Sequence, residues 1–562
     1  MSNLIKSAEG EVRELIMKAL GELVGEGAIE AMPLPAFNVE VPAEKSHGDF
    51  SANVAMVCAK AFKMPPRKIA ELINSKLDTV GSFFDKTEVA GPGFLNFYLG
   101  QRWFSQAVFT VLEEKEHFGE TDLGKGRKLM VEFVSANPTG PMHIGNARGG
   151  AIGDCLAAVL EKAGYDVTRE FYVNDAGNQI EKFALSLDMR YLQLYKEGIE
   201  MPEDSYHGED ISEHARAFAE IHSDSFVDVS ERERRDALVA FALPQNLKKL
   251  EDDLLKYRIK YDVWFLESLL HNENKVMAVV ELLKSKGLTY EKEGAVWYKA
   301  TEFGAEKDDV LVRANGIPTY FTADIAYHYN KFVERGFDKV INVWGADHHG
   351  HVARLKGAMQ AVGVDPSKLD VVLMQMVRLV KDGEVIKASK RSGKAITLVT
   401  LLEEVPIDAA RFFFNLRESN SHFDFDLGLA IEQSAQNPVY YVQYAHARIC
   451  SILRTLSAEG IQAKELSFSG FDVLSEPEEK DLIKHMATLP DVINDAAVSY
   501  DPAKMTRFAI DTATLFHKFY SQCRVKGEEE CILQARLNLC IAVKTVIKNI
   551  LEMLKIDCPE SM

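Results

Sequence analysis

The sequence feature that most constrains the fold is an alternation of strand-like and helix-like segments that begins near residue 128. The apolar run LMVEFV at 129–134 precedes the loop SANPTGPMHIG and a helical segment that ends near Gly164. A second strand-like run, DVTREFYV, and a second helical segment, NQIEKFALSLDMRYLQLYKEG, follow it. Strands that alternate with helices are typical of a parallel sheet covered by helices. The centre of the chain is therefore predicted to be an α/β domain.

This alternation is interrupted and then returns. Residues 200–300 are helical and charged, with a predicted hairpin strand in KEGAVWYKA, and we interpret them as an insertion. The segments KVINVWG, HVARLKGAMQAVG and LDVVLMQMVRLV then predict a strand, a helix and one further strand. A basic, glycine-containing loop, KDGEVIKASKRSG, precedes the predicted helix TLVTLLEEV. We assign residues 116–405 to this α/β domain with insertions.

The two flanking regions have different patterns. Residues 1–115 combine helical segments, separated at Pro65-Pro66, with a strand after the Gly-Pro-Gly turn of EVAGPGFLNFYL, which predicts a small α+β domain. Residues 406–562 contain five helical segments with short connections, which predict an all-α bundle. The fold class is therefore a multidomain α/β protein.

Composition excludes several classes of protein. With 47% hydrophobic and 27% charged residues the chain is not a disordered one. It has no run of about 18 apolar residues for a membrane span and no signal-peptide pattern, so we expect a cytoplasmic protein. The seven cysteines are scattered without a CxxC pair, which disfavours a disulfide framework or a structural zinc site.

The net charge of −19 argues against a nucleic-acid partner, because phosphate contacts require lysine and arginine. Binding is decided by local patches, however, and residues 438–562, with 14 bases and 17 acids, are the least acidic large region of the chain. Net charge alone therefore leaves the nature of the partner open.

The first motif with chemical potential lies in the loop after the first strand, from Ser135 to Asn146. Ligands bind at the carboxyl ends of strands in open α/β sheets, and the start of the following helix presents free N–H groups to a phosphate. Gly145 would allow a ligand to approach the backbone, and His143 could donate a hydrogen bond to a phosphoryl oxygen. The alternative is an ordinary loop with a surface histidine.

The second motif, KASKRSGK at 387–394, places several cations on a glycine-containing loop. Such a loop suits the binding of a triphosphate or pyrophosphate group. The alternative is a solvated basic loop. Because this loop follows a strand of the same predicted sheet, the two motifs support each other.

Together these motifs resemble those of the class I aminoacyl-tRNA synthetases. HIGN at 143–146 is similar to the HIGH motif of that family, and KASKR at 387–391 is similar to its KMSKS motif. The longer stretches VEFVSANPTGPMHIGNARGGAIGD, REFYVNDAGNQI, GADHHGHVARLK, VRLVKDGEVIKASKRSG and NPVYYVQYAHAR resemble the bacterial arginyl-tRNA synthetase family. SHGDFSANVAM and PGFLNFYL resemble the additional N-terminal domain of that family. Asn146 and Ala388 depart from the two motifs.

The resemblance implies a Rossmann-type catalytic domain that joins L-arginine to tRNA(Arg) through an arginyl-adenylate, with ATP and Mg²⁺ as the substrate complex. It implies a C-terminal anticodon-binding bundle and an N-terminal domain that contacts the tRNA D-loop, in a monomeric enzyme. His143, Lys387 and Lys390 would stabilise the charge of the transferring phosphate, which requires no nucleophilic side chain. The ATP contacts implied are His143, Gly145, Asn146, Gly345, Asp347, His348, Ser389 and Lys390.

An arginine pocket needs carboxylates, because a carboxylate matches the planar fork of a guanidinium. Glu132 on the first strand and Asp324 in TYFTADIAYH are the candidates, with Tyr320 on the same helix face as Asp324. The resemblance adds Asn137 and Gln375 to this pocket. Glu132 could instead form a structural ion pair, and Asp324 could instead cap a helix.

For the tRNA, Tyr440, Tyr444 and Arg448 could stack on bases and contact a phosphate, although an aromatic run at this spacing is also typical of a core. The resemblance assigns Phe94 and Asn96 to the D-loop contact. In GADHHG, a metal site from Asp347 and its neighbouring histidines is disfavoured because adjacent histidines point in different directions, so we predict no protein-bound metal.

Two rival functions remain open on the sequence. The first is another class I synthetase, but a cysteinyl enzyme should show a zinc-ligand set, and a glutamyl or glutaminyl enzyme should present arginine where Glu132 and Asp324 lie. The second is a synthetase-like RNA-binding protein without catalysis, which the retained His143, Gly145 and Lys390 disfavour.

Overall fold

The computed structural model describes residues 3–386 and 396–562. The N-terminal region packs four helices around an antiparallel sheet of strand order β1-β2-β4-β3. The elements of this region are α1 (Leu4–Gly25), β1 (Val39–Glu40), β2 (Phe50–Ala52), α2 (Val54–Phe62), α3 (Pro66–Lys76), β3 (Phe84–Ala90), β4 (Phe94–Leu99) and α4 (Gln101–Glu114). The strand predicted after the Gly-Pro-Gly turn is β4, and β3 pairs with it across that turn.

The central region contains the predicted parallel sheet. Its elements before the sheet resumes are β5 (Lys128–Glu132), α5 (Ile144–Lys162), β6 (Asp166–Val173), α6 (Asn178–Leu192), α7 (Glu209–His222), α8 (Glu231–Lys256), β7 (Val263–Leu266), α9 (Glu267–Asn272), α10 (Lys275–Ser285), β8 (Thr289–Lys292), β9 (Ala295–Tyr298) and β10 (Asp309–Val312). The hairpin predicted in KEGAVWYKA is confirmed as β8 and β9, which form a small antiparallel sheet with β10.

The elements that follow up to the second motif are α11 (Tyr320–Tyr329), β11 (Lys339–Gly345), α12 (His349–Val362), β12 (Leu369–Met374), β13 (Val377–Lys381) and β14 (Glu384–Ile386). In the described residues five strands make the parallel sheet, in the order β12-β11-β5-β6-β7. From β5 the chain proceeds to β6 on one side, whereas β11 and β12 extend the sheet on the other. The switch point of the sheet therefore lies between β5 and β11, where ligands bind in this class of fold.

Close packing explains the small residues at the start of α5. A Cβ added at Gly153 would lie 2.2 Å from Cγ of Phe133, and one added at Gly150 would lie 2.7 Å from Cδ1 of Ile259. The helix is buried along most of its length, between the sheet and the C-terminal helices. Glycine at these positions lets α5 approach the end of β5 closely.

The prediction of one strand over LDVVLMQMVRLV is wrong. The chain forms β12 in the parallel sheet, leaves it at Gln375, and continues as β13 in a separate sheet of order β14-β13-β15. The departure has a hydrogen-bonding cause, because the Gln375 backbone N–H donates to the Ser419 carbonyl at 2.9 Å rather than to a sheet neighbour.

The last region is mainly helical. Its elements are α13 (Leu398–Glu404), α14 (Ile407–Phe414), β15 (Phe423–Asp426), α15 (Leu427–Ile431), α16 (Pro438–Ala458), α17 (Pro477–Ala487), α18 (Leu489–Ser499), α19 (Ala503–Gln522) and α20 (Glu530–Met553). The sequence did not predict β15, which pairs in parallel with β13. The single helix predicted over EKDLIKHMATLPDVINDAA is two helices, because Pro490 lies in the first turn of α18 and cannot donate to a continuing helix. Across the described ranges, no helix is both long and apolar enough to cross a membrane.

Candidate active site

A cavity of about 480 Å³ opens at the switch point of the parallel sheet, beyond the ends of β5, β6 and β11. It brings together five residues that the sequence placed in the site: Glu132, Asp324, Gly345, Asp347 and His348. The other residues that line it are Val134, Ser135, Tyr172, Tyr327, His328, Val343, Trp344 and His351.

The turn that follows β5 shapes one wall of this cavity. Val134 and Ser135 both adopt left-handed backbone conformations, with φ of 69° and 43°, which are strained for residues with a side chain. Ser135 Oγ donates to Glu132 Oε1 at 2.9 Å and accepts from the Tyr172 backbone N–H at 3.1 Å. The turn therefore ties the Glu132 carboxylate to the neighbouring strand β6.

The Glu132 carboxylate forms a buried ion pair. Its Oε2 accepts from Lys331 Nζ at 2.5 Å, and the two side chains are 7% and 0% exposed. Lys331 also donates to Asn342 Oδ1 at 3.3 Å and lies in a π-helical turn, Asn330–Glu334, that continues α11. The structure thus contains the ion pair that the sequence left open as an alternative for Glu132.

Asp324, which lines the same cavity, lies in different surroundings. Its Oδ2 is 2.8 Å from His351 Nε2, and 34% of its side chain is exposed. The N-cap of α11 is Thr319, so Asp324 lies within the helix and does not cap it. Tyr320 starts the same helix one turn earlier, and its hydroxyl accepts from the Asn178 backbone N–H at 3.1 Å. Tyr320 does not line the cavity of Glu132 and Asp324, but lines a neighbouring one of about 380 Å³.

Two uncharged side chains, those of His328 and Tyr172, also line the cavity. Burial lowers the pKa of His328 well below its ordinary value, so the ring is neutral. Its Nδ1 donates to the Asp324 carbonyl at 2.8 Å, and its Nε2 accepts from Asn342 Nδ2 at 2.8 Å. Burial, together with the nearby carboxylates of Glu267 and Asp324, raises the pKa of Tyr172, which keeps its phenol protonated.

The HIGN loop lies at the start of α5. The backbone N–H of His143 donates to Asn146 Oδ1 at 3.0 Å, so the asparagine that departs from the family motif organises the first turn of the helix. The His143 side chain is exposed, and a Cβ added at Gly145 would have no heavy atom within 4 Å. Packing therefore does not require glycine at 145, and the space above its backbone is open to a ligand.

Lys387, Ser389 and Lys390, the predicted phosphate contacts of the second motif, lie outside the described residues. The chain that follows them lies near the first motif. Thr397 pairs with His143 in an antiparallel bridge, and the Leu398 backbone N–H donates to the Met142 carbonyl at 2.9 Å. The segment that follows the second motif therefore contacts the loop that carries the first.

The predicted adenosine contacts lie where β11 ends. Asp347 and His348 are exposed, with 3.7 Å between Asp347 Oδ2 and His348 Nε2. In the part of the chain that the structure describes, no three His, Cys, Asp or Glu side chains are grouped as metal ligands. Asn137, which is exposed on its loop, and Gln375 are described residues outside the lining of the cavity.

A separate cleft of about 550 Å³ lies in the helical bundle. Tyr444 and Arg448 of α16 line it with Tyr520 and Arg524, and the Arg448 guanidinium is 4.6 Å from the centre of the Tyr520 ring. Tyr440 is half-buried, one turn before Tyr444. This cleft combines aromatic faces with positive charge, the combination that binds splayed nucleic-acid bases.

The two residues assigned to the D-loop contact differ in accessibility. Phe94 is half-buried at the start of β4, whereas Asn96 is buried and its Oδ1 accepts from Ser51 Oγ at 2.9 Å. The structure therefore does not present the Asn96 side chain on the surface of the domain.

Sequence reasoning did not identify four residues that build the site: Ser135, Tyr172, Lys331 and His351. Ser135 and His351 lie within or next to stretches that the motifs had already marked, so their position along the chain could have indicated them. Lys331 carries no such signal, because its partner Glu132 is 199 residues away in sequence.

Comparison with protein families finds a matching family model for each of the three regions of the chain. A family model described as the tRNA synthetases class I (R), catalytic domain, matches residues 107–450. The arginyl tRNA synthetase N terminal domain matches residues 10–99, and the DALR anticodon binding domain matches residues 442–562. The fold and the matched catalytic domain thus define a class I aminoacyl-tRNA synthetase architecture.

Individual relatives identify the family within this class. An arginine–tRNA ligase of Caldanaerobacter subterraneus is 55% identical over 562 residues, and one of Acetivibrio thermocellus is 51% identical over 564 residues; each match covers 100% of both chains. A crystal structure described as a putative arginyl-tRNA synthetase of Campylobacter jejuni is 33% identical with a TM-score of 0.74, and covers 83% of this chain and 100% of its own. The Thermus thermophilus arginyl-tRNA synthetase, at 21% identity, has the same fold with a TM-score of 0.73, over 99% of this chain and 100% of its own. The chain belongs to the arginyl-tRNA synthetase family.

Proposed function

We propose that this protein is an arginine–tRNA ligase that converts ATP, L-arginine and tRNA(Arg) to AMP, diphosphate and L-arginyl-tRNA(Arg). The observation that carries the proposal is the cavity at the switch point, which Glu132 and Asp324 line beyond the end of β5, the strand that leads through the HIGN loop into α5. Carboxylates suit a substrate with a cationic side chain, and the start of the following helix suits a phosphate.

In this proposal Asp324 binds the arginine side chain. Its carboxylate is partly exposed on the cavity wall, and a guanidinium can donate two parallel hydrogen bonds to it. Tyr320, Asn137 and Gln375 would complete the arginine contacts, and Glu132 would contribute through the carboxylate that Lys331 already balances. A neutral amino acid would leave Asp324 without a cationic partner, which penalises its binding.

The first chemical step is attack by the arginine α-carboxylate oxygen on the α-phosphorus of ATP, which breaks the bond to diphosphate and leaves arginyl-adenylate. His143 and the free N–H groups of α5 would stabilise the added charge on phosphorus. Gly145, Asn146, Gly345, Asp347 and His348 would hold the nucleotide. Lys387, Ser389 and Lys390 would contact the diphosphate, with Mg²⁺ accompanying ATP as part of the substrate. A terminal ribose hydroxyl of the tRNA then attacks the arginyl carbonyl and releases AMP.

The tRNA would contact both ends of the chain. The cleft with Tyr444 and Arg448, and Tyr440 beside it, would receive anticodon bases, and the region of Phe94 and Asn96 would approach the D-loop. We further propose that residues 1–115, 116–405 and 406–562 act as the three functional units. We also propose that the enzyme is a monomer of the cytoplasm, a reducing compartment that suits its free cysteines.

A charging assay tests the proposal. Purified protein, ATP, Mg²⁺ and total bacterial tRNA are offered each labelled amino acid in turn, together with citrulline, which has the shape of arginine without its charge. We expect arginine alone to enter the tRNA fraction. Charging of another amino acid would overturn the pocket assignment, and tRNA binding without any charging would overturn the catalytic assignment.

A further inference from the structure

Arg148 is a fully buried cation in α5, two residues after the HIGN motif, and its side chain is 0% exposed. Among the described residues it forms no ion pair with a carboxylate, and its Nε has no hydrogen-bond partner. Burial lowers the pKa of the guanidinium to about 10. Burial of a charge without a counter-charge destabilises the folded state, and an apolar side chain of similar volume generally costs less free energy.

The guanidinium of Arg148 is held by three backbone carbonyls. Its Nη1 donates to the Gln375 carbonyl at 2.7 Å, and its Nη2 donates to the Glu418 carbonyl at 3.1 Å. Both nitrogens also donate to the Ser421 carbonyl at 3.2 Å. One rigid planar group therefore fixes three points of the backbone, which neither lysine nor an apolar side chain could do.

These carbonyls belong to two chain crossings that lead into the second sheet, one from β12 to β13 and the other from α14 to β15. Gln375 follows β12 and precedes β13, and the segment 418–421 precedes β15. The two crossings also bind each other, because the Gln375 backbone N–H donates to the Ser419 carbonyl. Arg148 thus fastens both crossings to the first turns of α5, the helix that starts at the HIGN motif.

We propose that Arg148 is a positioning residue, which sets the spacing between the HIGN end of α5 and the sheet β14-β13-β15 and thereby aligns the phosphate-binding groups for adenylate formation. The inference rests on the proposed function and deepens it. Strand β14 ends at Ile386, directly before the second motif in sequence, so Arg148 sets the spacing between the HIGN end of α5 and the last described residue before that motif. Arg148 acts through this spacing and does not itself contact a substrate.

The matched control is Arg411, which is also fully buried and also holds α5, but at Asp154, six residues after Arg148. Its guanidinium pairs with Asp154 at 2.5 Å and donates to the carbonyls of Leu554 and Tyr257. Arg411→Met therefore removes a buried guanidinium of equal size without touching the crossings at Gln375 and Ser421.

The experiment compares Arg148→Met with Arg411→Met by arginine-dependent ATP–pyrophosphate exchange in the presence of tRNA, with rates expressed per active site from adenylate titration. We expect Arg148→Met to lower kcat by about 10- to 100-fold, with KM for arginine changed by less than about 3-fold, because misplacement by about 1 Å costs rate rather than binding. Arg411→Met should lower the melting temperature and leave kcat per active site within about 3-fold of wild type. Equal kcat values for the two variants would overturn the inference.

Hydrogen–deuterium exchange supplies a readout that does not depend on activity. In Arg148→Met we expect faster exchange in residues 377–386 and 423–426, whereas Arg411→Met should leave those strands as protected as in wild type. If Arg148→Met does not fold, Arg148→Lys replaces it, since a lysine reaches one carbonyl and should give the same local loss of protection. Unchanged protection would overturn the inference. A wild-type protein that fails to charge arginine would instead overturn the proposed function, whatever the variants show.

Discussion

Glu132 and Asp324 are carboxylates on the wall of one cavity, yet they lie in opposite kinds of surroundings. Glu132 ends a central strand, is almost fully buried, and is 2.5 Å from the ammonium of Lys331, which is itself inaccessible. Asp324 lies on helix α11, keeps a third of its side chain exposed, and is 2.8 Å from the imidazole of His351. The sequence had assigned both the same role.

The difference shows that two carboxylates in one cavity can contribute unequally to the stability of the fold and to the binding of a substrate. The charge of Glu132 is already balanced inside the protein, so removal of its carboxylate leaves the Lys331 ammonium buried and unpaired. Solvent reaches Asp324, so its removal costs the fold little and deprives a cationic substrate of its partner. We therefore expect substitutions at Glu132 to act mainly on stability and substitutions at Asp324 mainly on arginine use.

The largest effect is expected for Glu132→Ala. Because this change leaves a buried ammonium without a counter-charge, the free energy of unfolding should fall by about 3–5 kcal/mol, measured by urea denaturation. The double variant Glu132→Gln with Lys331→Met removes both charges and should recover most of the loss. A loss below about 1 kcal/mol in Glu132→Ala would show that the pair does not support the fold and would remove the distinction between the two carboxylates.

Asp324→Asn should act on catalysis instead. We expect kcat/KM for arginine to fall by the equivalent of about 2–5 kcal/mol, the cost of leaving one member of a hydrogen-bonded charge pair without its partner. The free energy of unfolding should change by about 1 kcal/mol or less, since the carboxylate is partly exposed. Asp365→Asn is the matched control, because Asp365 is an exposed N-cap residue that does not line the cavity. Asparagine caps a helix as well as aspartate does, so this change should leave both stability and arginine use unaltered. Unchanged arginine use in Asp324→Asn would contradict the pocket assignment.

The smallest effect concerns His328, whose ring bonds the Asp324 carbonyl on one side and Asn342 on the other. Burial lowers its pKa, so the unfolded chain binds a proton near pH 6.5 that the folded protein does not bind. The stability from neutral His328 is therefore present above about pH 6.5 and is lost as the pH falls, by at most about 1.4 kcal/mol per pH unit. In His328→Gln the decline of unfolding free energy between pH 6.5 and about 5 should be shallower than in wild type.

Other histidines contribute to the same pH range, so only the difference between variants is informative. Burial also lowers the pKa of His446 and His485, and it lowers the pKa of His517 to about 4. His207→Gln alters an exposed ring and should reproduce the wild-type pH profile. If the pH profile of unfolding free energy for His328→Gln overlays that of this control, His328 is not held neutral in its buried site between Asp324 and Asn342.

Much of the fold followed from local patterns along the chain. The alternation after residue 128 predicted the parallel sheet, Gly164 marks the end of α5 with a left-handed φ of 86°, and the helical periodicity after residue 405 predicted most of the bundle. The patterns failed where a long-range bond overrode them. The run from 369 to 380 has the pattern of one strand, but it is divided between two sheets at Gln375, whose backbone N–H donates to the Ser419 carbonyl and whose carbonyl accepts from Arg148.

The sequence by itself determined the order of elements, the two motif loops and the candidate carboxylates, because these depend on residue type and on spacing over a few turns. Only the tertiary structure decided which cation balances each carboxylate and which backbone Arg148 holds. Lys331 reaches Glu132 across 199 residues, and Arg148 reaches Ser421 across 273. Such partners meet only when the sheet is assembled, since the free energy of a buried charge depends on what the whole fold places around it.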